Sequence, residues 1–359
     1  MIKKRDIKTL TVDELIRWLG RYDLAPYRAR QIFKWIYMHQ IDRFELMTDL
    51  TKTARSALAA EFSIERLAVE DIQVSTDGSQ KFLFGLQDGR CIESVLIPEK
   101  DHYTLCISSQ VGCAQGCRFC MTAAGGFQRN LTLGEILAQV RDVRHRFDDP
   151  KQLRNIVFMG MGEPLANYRN VVAAINMLID NQIGFSFASK RITLSTAGLV
   201  PRLLTLGHDT PVNLAISLNA ADDATRNRLM PINRRYPLRI LMDACRRYPL
   251  KPYRRITFEY ILIKGINDSE KNAYKLAKLL HFQRAKINLI PFNAHPGCNW
   301  QRPEEDVIER FQQILLDKNY TVIVRNSKGQ DIAAACGQLR ARRCRQDKFC
   351  RAESDIEIG

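Results

Sequence analysis

Beyond residue 100 the sequence alternates short apolar runs with longer segments whose apolar residues recur at helical spacing. Strands joined by helical crossovers run parallel, because each crossover returns the chain to the same edge of the sheet. The alternation therefore predicts an α/β fold, either a barrel or an open doubly wound sheet. The runs that predict strands span residues 104–109, 156–160, 191–196, 212–218, 256–263, 286–292 and 321–326.

The sequence before this core predicts two smaller units. Residues 9–62 have a helical pattern, and Thr11 with Glu14 has the form of a capping box. Residues 81–97 read as two β-rich runs around Asp88-Gly89, a strong hairpin signal. We expect an N-terminal helical domain over residues 1–75, a β-hairpin extension over 76–98, the core over 99–335 and a C-terminal segment over 336–359.

The 359-residue chain has the composition of a soluble globular protein, 45% hydrophobic and 26% charged. Its first residues contain no apolar run typical of a signal peptide, and no stretch approaches the roughly 20 apolar residues of a membrane span. We therefore expect a cytoplasmic protein without a membrane partner. In that reducing compartment, ten cysteines favour metal binding or catalysis over a disulfide framework.

The chain is strongly basic, with a net charge of +15 from 54 Lys and Arg against 39 Asp and Glu. This balance favours a polyanionic partner, most often nucleic acid, although a generally basic enzyme would share it. One helical segment alternates Arg28, Arg30 and Lys34 with apolar residues. Its pattern fits burial of one face, nucleic-acid contact, or both. We expect the N-terminal helices and the basic C-terminal tail to contact nucleic acid.

Glycines and polar side chains follow several predicted strands at the point where each strand ends. They comprise GMGEP (160–164), STAG (195–198), Ser217-Leu218-Asn219 and Asn293. Any one of them can be explained as a tight turn or a helix cap. Together they indicate an active site, because barrel enzymes hold their catalytic groups at the carboxyl ends of parallel strands.

Three cysteines, Cys113, Cys117 and Cys120, follow the first predicted core strand as C-x3-C-x2-C. Thiolates are soft ligands that suit zinc or iron–sulfur clusters. A structural zinc site usually takes a second ligand pair, which does not follow here at suitable spacing. Three thiolates on a [4Fe–4S] cluster would leave one iron free for another ligand. The three cysteines could also belong to a partly filled zinc site or be incidental.

The order of these motifs resembles that of the RlmN/Cfr family of radical S-adenosylmethionine (SAM) RNA methyltransferases. The similarity runs from about Phe82 to Leu339 and rests on VGCAQGCRFCMTAAGGFQRNLT, GMGEPLANY, RITLSTAG, AISLNAADD, RLMPINRRYPL, FEYILIKGIND and IPFNAHPG. It implies a radical SAM partial (βα)6 barrel, with one [4Fe–4S] cluster on Cys113, Cys117 and Cys120 and SAM at the open iron. The residues that would contact SAM by this resemblance are Gly162, Glu163, Ser195, Ser217, Leu218, Asn219 and Asn293.

The resemblance also implies roles for two further cysteines. Cys336 matches the family's methyl-carrying residue, an S-methylcysteine during the reaction, and Cys106 matches its partner in a transient disulfide. In that scheme one SAM methylates Cys336, and a second supplies the radical that removes hydrogen from the S-methyl group. The carbon adds to the adenine, and attack by Cys106 then releases the methylated base. Glu93 matches the family's proton acceptor.

The reaction implied by the resemblance is methylation of adenine carbon 2 in 23S rRNA and in tRNA, by a monomeric enzyme with an electron donor. The phrase GGFQRNLT favours carbon 2 over the carbon-8 chemistry of the Cfr branch. A radical SAM enzyme acting on a small molecule is disfavoured by the basic charge. A non-catalytic iron–sulfur or zinc protein that binds RNA would share that charge.

Cys344 and Cys350 match no family motif, and we expect Cys91, Cys245 and Cys298 to be structural or incidental.

Overall fold

The computed structural model describes residues 4–295 and 298–340. Its N-terminal part is a small helical module closed by a parallel pair of two-residue strands, β1 (Arg5–Asp6) and β2 (Phe62–Ser63). The module's helices are α1 (Val12–Gly20), α2 (Arg28–Tyr37) and α3 (Lys52–Glu61). The predicted capping box is present, because the Glu14 N–H donates to Thr11 Oγ1 at 3.2 Å and the Thr11 N–H donates to Glu14 Oε2 at 2.8 Å.

The core is a ten-stranded sheet in which the strands are arranged in sequence order. An antiparallel unit of β3 (Ala68–Val74), β4 (Gln80–Gly85) and β5 (Cys91–Pro98) pairs with β6 (Tyr103–Cys106). A short ribbon of β7 (Gln110–Gly112) and β8 (Phe127–Asn130) branches off after β6. From β6 onward the sheet is parallel and continues through β9 (Leu153–Phe158), β10 (Ile192–Thr196), β11 (Asn213–Ser217), β12 (Ile256–Leu262), β13 (Ala285–Pro291) and β14 (Thr321–Val324).

Helices connect the parallel strands. They are α4 (Met121–Ala124), α5 (Leu133–Arg144), α6 (Tyr168–Ile179), α7 (Val200–Asp209), α8 (Asp223–Leu229), α9 (Leu238–Arg247), α10 (Glu270–Leu280) and α11 (Glu305–Asp317). Doubly wound sheets reverse their strand order at a switch point, whereas β6 to β14 follow one another in sequence order. The prediction of an α/β barrel with helical crossovers is confirmed.

The structure departs from expectation before the barrel. β3 lies inside residues 1–75, the range predicted as a helical domain, and it extends the expected hairpin to three strands. Val69 and Val74 on β3 are exposed, so the apolar alternation that normally reveals a strand is weak. The predicted turn at Asp88-Gly89 is present, with Gly89 in the left-handed region at φ 79°.

The basic helix α2 has its cations partly engaged within the protein. Arg28 donates to the Asp49 carbonyl oxygen at 2.6 Å, and Arg30 contacts the Gln182 side chain, while Lys34 is exposed. Arg30 and Lys34 are exposed and Arg28 is half-buried, and the expected nucleic-acid contact through these three residues stays a prediction. Within the described residues, no helix is both long and apolar enough to cross a membrane.

A buried arginine joins the N-terminal module to the barrel. Arg141 on α5 is fully buried and donates to the carbonyl oxygens of Ile36, at 3.2 Å, and Ile41, at 2.6 Å. It also contacts the Asp42 carboxylate. A buried charge is tolerated only when it is paired and hydrogen-bonded, so these contacts fix where the module lies on the barrel.

We expect Arg141→Met to lower the free energy of unfolding by about 2–3 kcal/mol, because two carbonyl groups and the Asp42 carboxylate lose their donor. Urea denaturation followed by circular dichroism measures the change. Arg17→Met, on the exposed face of α1, is the matched control and should change stability by less than about 0.5 kcal/mol. Equal stability of the two variants would contradict this role for Arg141.

Candidate active site

The cysteine loop begins where β7 ends and turns back on itself. Gly112 has φ 74°, and a Cβ atom there would lie 1.8 Å from the Gly126 carbonyl oxygen, so the turn requires glycine. The Cys113 N–H donates to that same oxygen at 2.9 Å, and the Cys120 N–H donates to the Cys117 carbonyl at 3.2 Å. The three cysteines thus share one short loop that leads into α4.

A cavity lies at the carboxyl ends of the parallel strands, and most of the predicted site residues line it. Those residues are Cys113, Cys117, Cys120, Gly162, Glu163, Ser195, Ser217, Asn219 and Cys336. Leu218 is instead fully buried in the core. Asn293 follows β13 and donates from its side chain to the Cys336 carbonyl oxygen at 3.4 Å. The structure therefore brings together side chains that are more than two hundred residues apart in sequence.

Glu163 is buried, and its carboxylate accepts three hydrogen bonds. The donors are Thr196 Oγ1 at 2.7 Å, the Ala197 N–H at 2.8 Å and the Leu165 N–H at 3.0 Å. Burial raises the pKa of Glu163, and these donors act in the opposite direction. A carboxylate offers about four acceptor positions, so one position is left for a ligand.

Gly162 brings bare backbone to the cavity beside Glu163. Its φ is 104°, and a Cβ atom there would lie 2.6 Å from the Gln110 Cβ atom. Gln110 Oε1 in turn accepts the Glu163 N–H at 2.8 Å. A side chain at position 162 would therefore displace the group that orients Glu163.

Glu259 on β12 is a second buried carboxylate of the cavity, and the strand pattern alone did not single it out. It accepts from Ser195 Oγ at 2.7 Å and from Ser217 Oγ at 3.2 Å, so it ties two predicted SAM contacts together. One signal was available, because Glu259 is the only charged residue in the apolar run ITFEYILI. A carboxylate in an otherwise buried parallel strand is a candidate functional group.

The thiols of the cysteine loop lie in buried, anionic surroundings. Burial raises the pKa of Cys113 to about 12 and raises that of Cys117, and the charges of Cys120 and Glu163 add to both effects. The buried guanidinium of Arg226 opposes them at Cys117. Thiolates in such a place need positive charge close by, which a bound metal centre supplies.

The three cysteines of the loop line one cavity together. A [4Fe–4S] cluster binds each thiolate through a different iron, so three thiolates would leave one iron free for another ligand. The cysteines therefore lie where the predicted cluster requires them.

A second cavity adjoins the first, and it contains the other predicted cysteine. Cys106 lines this second cavity, and both Cys336 and Met159 line the two cavities alike. Burial raises the pKa of Cys106 to about 12, nearby Cys336 adds to the effect, and Arg325 opposes it. Arg325 was missed in the sequence, where it appears only as the charged residue before the last position of the run TVIVRN.

Glu93, the predicted proton acceptor, lies on β5 beside the segment that carries Cys336. Its Oε2 atom accepts the Arg340 N–H at 2.7 Å, and its Oε1 atom lies 3.5 Å from Lys81 Nζ. It is not among the described residues that line the two cavities. Cys344, Cys350 and the basic tail lie outside the described residues.

Comparisons with known proteins agree with this geometry. A model of the radical SAM superfamily matches residues 107–277, and a model of the ribosomal RNA large subunit methyltransferase N-terminal domain matches residues 6–64. The crystal structure of a radical SAM methyltransferase from Sphaerobacter thermophilus superposes with a TM-score of 0.88 at 44% identity, covering 94% of this chain and 100% of that one. The barrel, the cysteine loop and the cavity are those of a radical SAM enzyme.

Similar proteins of known family identify the family within the radical SAM enzymes. A protein of Desulfosudis oleivorans is 55% identical over 94% of this chain and 91% of its own length, and one of Geobacter sulfurreducens is 53% identical over 94% and 92%. Each is named dual-specificity RNA methyltransferase RlmN. The chain belongs to the RlmN family. Membership confirms the predicted cofactors, a [4Fe–4S] cluster and SAM.

We expect Glu259→Gln to weaken SAM binding by about tenfold, because Ser195 and Ser217 exchange a charged acceptor, worth about 1.5–3 kcal/mol, for the weaker neutral amide oxygen of glutamine. Calorimetric titration of the cluster-loaded protein with SAM measures the affinity. Glu309→Gln, on the exposed face of α11, is the control and should bind SAM as the wild type does. Unchanged SAM affinity in Glu259→Gln would contradict the role of Glu259 in holding Ser195 and Ser217 at the SAM site.

Proposed function

We propose that the protein methylates carbon 2 of an adenine in 23S rRNA and in tRNA. The names of its relatives support a dual-specificity RNA methyltransferase, and the match to the N-terminal domain supports a ribosomal RNA substrate. The observation that carries the proposal is that Cys336 borders both cavities, whereas Cys106 lies in the second. One cysteine can thus accept a methyl group on one side and form a disulfide on the other.

In this proposal Cys113, Cys117 and Cys120 hold the cluster, which when bound supplies the electron that cleaves SAM to a 5′-deoxyadenosyl radical. The free acceptor position of Glu163 suits the ammonium group of SAM. The residues assigned to SAM are Gly162, Glu163, Ser195, Ser217, Leu218, Asn219 and Asn293, with Glu259 behind the two serines. Leu218 would position its neighbours Ser217 and Asn219, because its N–H donates to the Glu259 carbonyl oxygen at 2.9 Å and its own carbonyl accepts from Arg226 at 3.0 Å. Asn293 would act through its hydrogen bond to the Cys336 carbonyl.

The two remaining cysteines divide the methyl transfer between them. Cys336 Sγ, as a thiolate, takes the methyl group by displacement at the sulfonium carbon of SAM. The adduct of that carbon with the adenine must first give up the ring proton and one electron, the latter to a one-electron acceptor. The Cys106 thiolate then attacks Cys336 Sγ. The sulfur–carbon bond breaks, its electron pair stays on carbon, and a proton completes the methyl group. A disulfide is left, and two electrons from a reductant must reopen it before the next turnover.

We assign to Glu93 the role of accepting the proton that leaves the adenine ring. Cys106 pairs with Val95 across the antiparallel strands β5 and β6. Directly paired residues share a face, and so do residues two apart, so Glu93 and Cys106 project from the same face of the sheet. Diagonal neighbours of this kind lie about 7–8 Å apart, with their Cβ atoms somewhat closer. The Arg340 N–H adds a direct link from Glu93 to the Cys336 segment.

The RNA must present an unstacked base to these groups. An adenine inside a helix cannot reach a cavity at the end of a barrel, so the target nucleotide must be flipped out or lie in a loop. The net charge of +15 suits a polyanion, with binding that weakens as salt rises. The reaction also needs a one-electron donor for the cluster, and we propose that the enzyme acts as a monomer.

Mass spectrometry of nucleosides tests the proposed product. Cluster-loaded enzyme is incubated with SAM, a reductant and unmodified 23S rRNA or tRNA, and each RNA is then digested. We expect 2-methyladenosine from both RNAs. The appearance of 8-methyladenosine would establish carbon-8 chemistry instead, and the absence of any methylated adenosine would refute the proposed function.

The same assay tests the roles of the cysteines. Cys336→Ala should abolish RNA methylation while leaving the cluster spectrum and reductive SAM cleavage intact, because it removes only the methyl carrier. Cys245→Ala replaces a buried cysteine on α9 and is the control that should retain methylation. Methylation by Cys336→Ala would refute the mechanism.

We expect Arg325→Gln to slow alkylation of Cys106 by a small reagent severalfold at neutral pH, because loss of the guanidinium raises the pKa of Cys106 further and lowers its thiolate fraction. Alkylation slows because Arg325 holds the pKa of Cys106 below the value that burial alone would give, so removing Arg325 raises that pKa. Peptide mass spectrometry measures the rate. Arg325→Lys should restore most of it, and Arg169→Gln, on the exposed side of α6, should not change it. A rate unchanged in Arg325→Gln would contradict this effect.

A further inference from the structure

The end of the barrel opposite the two cavities carries a surface that the proposed reaction does not use. It is formed by residues 248–255, which precede β12, and residues 281–284, which precede β13. The two loops are joined, because Arg284 Nη2 donates to the Lys251 carbonyl oxygen at 3.3 Å and the Ile256 N–H donates to the Arg284 carbonyl at 2.9 Å. We call Lys251, Tyr253, Arg255, Phe282 and Arg284 the distal surface.

Two aromatic side chains of the distal surface project into solvent. Tyr253 is 100% exposed and Phe282 is 79% exposed. Tyr253 also has φ 63°, in the left-handed region that bulky residues rarely adopt. Packing of the ring against the core does not compensate for this unfavourable backbone conformation, because the Tyr253 side chain is fully exposed. Exposed aromatic groups and unusual backbone conformations of this kind favour a binding role.

The charge around these rings is almost entirely positive. Residues 246–255 and 281–284 contain six Lys or Arg and no Asp or Glu. Asp243 pairs with Arg246 at 3.2 Å and Arg247 at 2.9 Å, which compensates part of that charge. In the part of the chain that the structure describes, Lys251, Arg255 and Arg284 form no ion pair with a carboxylate. Arg255 instead donates to the neutral Thr321 Oγ1 at 2.7 Å.

We propose that the distal surface binds an unpaired stretch of the substrate RNA, remote from the adenine that reacts. Bases would stack on Tyr253 and Phe282, and phosphates would lie near Lys251, Arg255 and Arg284. Exposed aromatic rings among unpaired cations are the arrangement by which proteins hold single-stranded nucleic acid without reading its sequence. The positive charge selects a polyanion over an apolar protein partner. The inference rests on the proposed function, since it takes RNA as the substrate.

The distance between the distal surface and the cavities determines which RNAs can bind to both. The seven residues of β12 separate it from the cavity end by about 20 Å, at roughly 3.3 Å per strand residue. A short hairpin that inserts its adenine into the cavity would not reach the opposite end of the barrel. A full-length RNA would reach both ends, so the distal surface should raise affinity for long substrates only.

The test compares two double variants, Tyr253→Ala with Phe282→Ala and Arg255→Gln with Arg284→Gln. Fluorescence anisotropy measures affinity for full-length substrate RNA over a range of salt concentrations. We expect the aromatic variant to bind about fivefold or more weakly, as loss of stacking for one or two bases predicts. We expect the arginine variant to lower the slope of log affinity against log salt by about 1.4, near 0.7 for each lost phosphate contact.

Controls separate this surface from the active site. Tyr274→Ala removes a 48% exposed aromatic ring from α10 and should leave RNA affinity unchanged. A short hairpin that contains the target adenine should be bound and methylated equally by all variants. Equal weakening on the hairpin and on the full-length RNA would overturn the proposal, because the variants would then act through the cavity.

Affinity for full-length RNA that is unchanged in both double variants would also overturn the proposal. A third result would overturn it as well. Sedimentation would show that the wild-type protein self-associates and that the double variants do not, while anisotropy would show the same RNA affinity for all of them. Failure of the proposed function has a different signature, since the wild-type enzyme would then methylate neither the hairpin nor the full-length RNA.

Discussion

The chemistry proposed for the carboxyl end of the barrel depends on how the segment carrying Cys336 is held. Hydrogen bonds from the antiparallel unit secure one side of the segment, and bonds from the helix after the cysteine loop secure the other. The contacts are those of Ser75 with Asp331 at 2.6 Å, Lys81 with the Ile332 carbonyl at 2.6 Å, Met121 with the Gly337 carbonyl at 2.7 Å and Thr122 with the Leu339 carbonyl at 2.5 Å. Because both sides are fixed, Cys336 faces two cavities at once. The strands β3 to β5 therefore serve the active site, although they lie outside the parallel barrel.

Buried charge is the second constraint on this end of the molecule. Glu163 and Glu259 lie inside the cavity with their oxygens accepting hydrogen bonds from neighbouring groups, so their desolvation is compensated. Arg226 is close enough to affect Cys117, and Arg325 is close enough to affect Cys106. Each group of thiols thus has a cation of its own. This matters because thiolates are the reactive and metal-binding form of cysteine.

Sequence patterns predicted those features that depend on strand order and local spacing. The parallel strands and the residues that follow them share an edge of the sheet, so the cavity could be anticipated from GMGEP, STAG and the cysteine loop. β3 escaped prediction because its exposed side chains lack the alternation of a half-buried strand. Glu259 could have been found as the lone charge in an apolar strand. Arg325 could not, since nothing local to it reveals that folding places it beside Cys106.

The separation of Cys106 from the first cavity follows from the chemistry that the first cavity supports. A thiol S–H group gives up its hydrogen readily, so a free thiol beside a carbon radical would divert the reaction. In the proposed mechanism Cys336 avoids this at the radical step, because it would then carry a methyl group in place of the thiol hydrogen. Cys106 has no such protection, and it lines the second cavity, with Met159 and Cys336 bordering both. Burial raises the pKa of Cys106 to about 12, so Cys106 keeps its S–H hydrogen, and its position in the second cavity holds that hydrogen apart from a radical formed in the first. In the proposed mechanism Cys106 attacks Cys336 Sγ, which borders both cavities, after the adenine has been joined to Cys336.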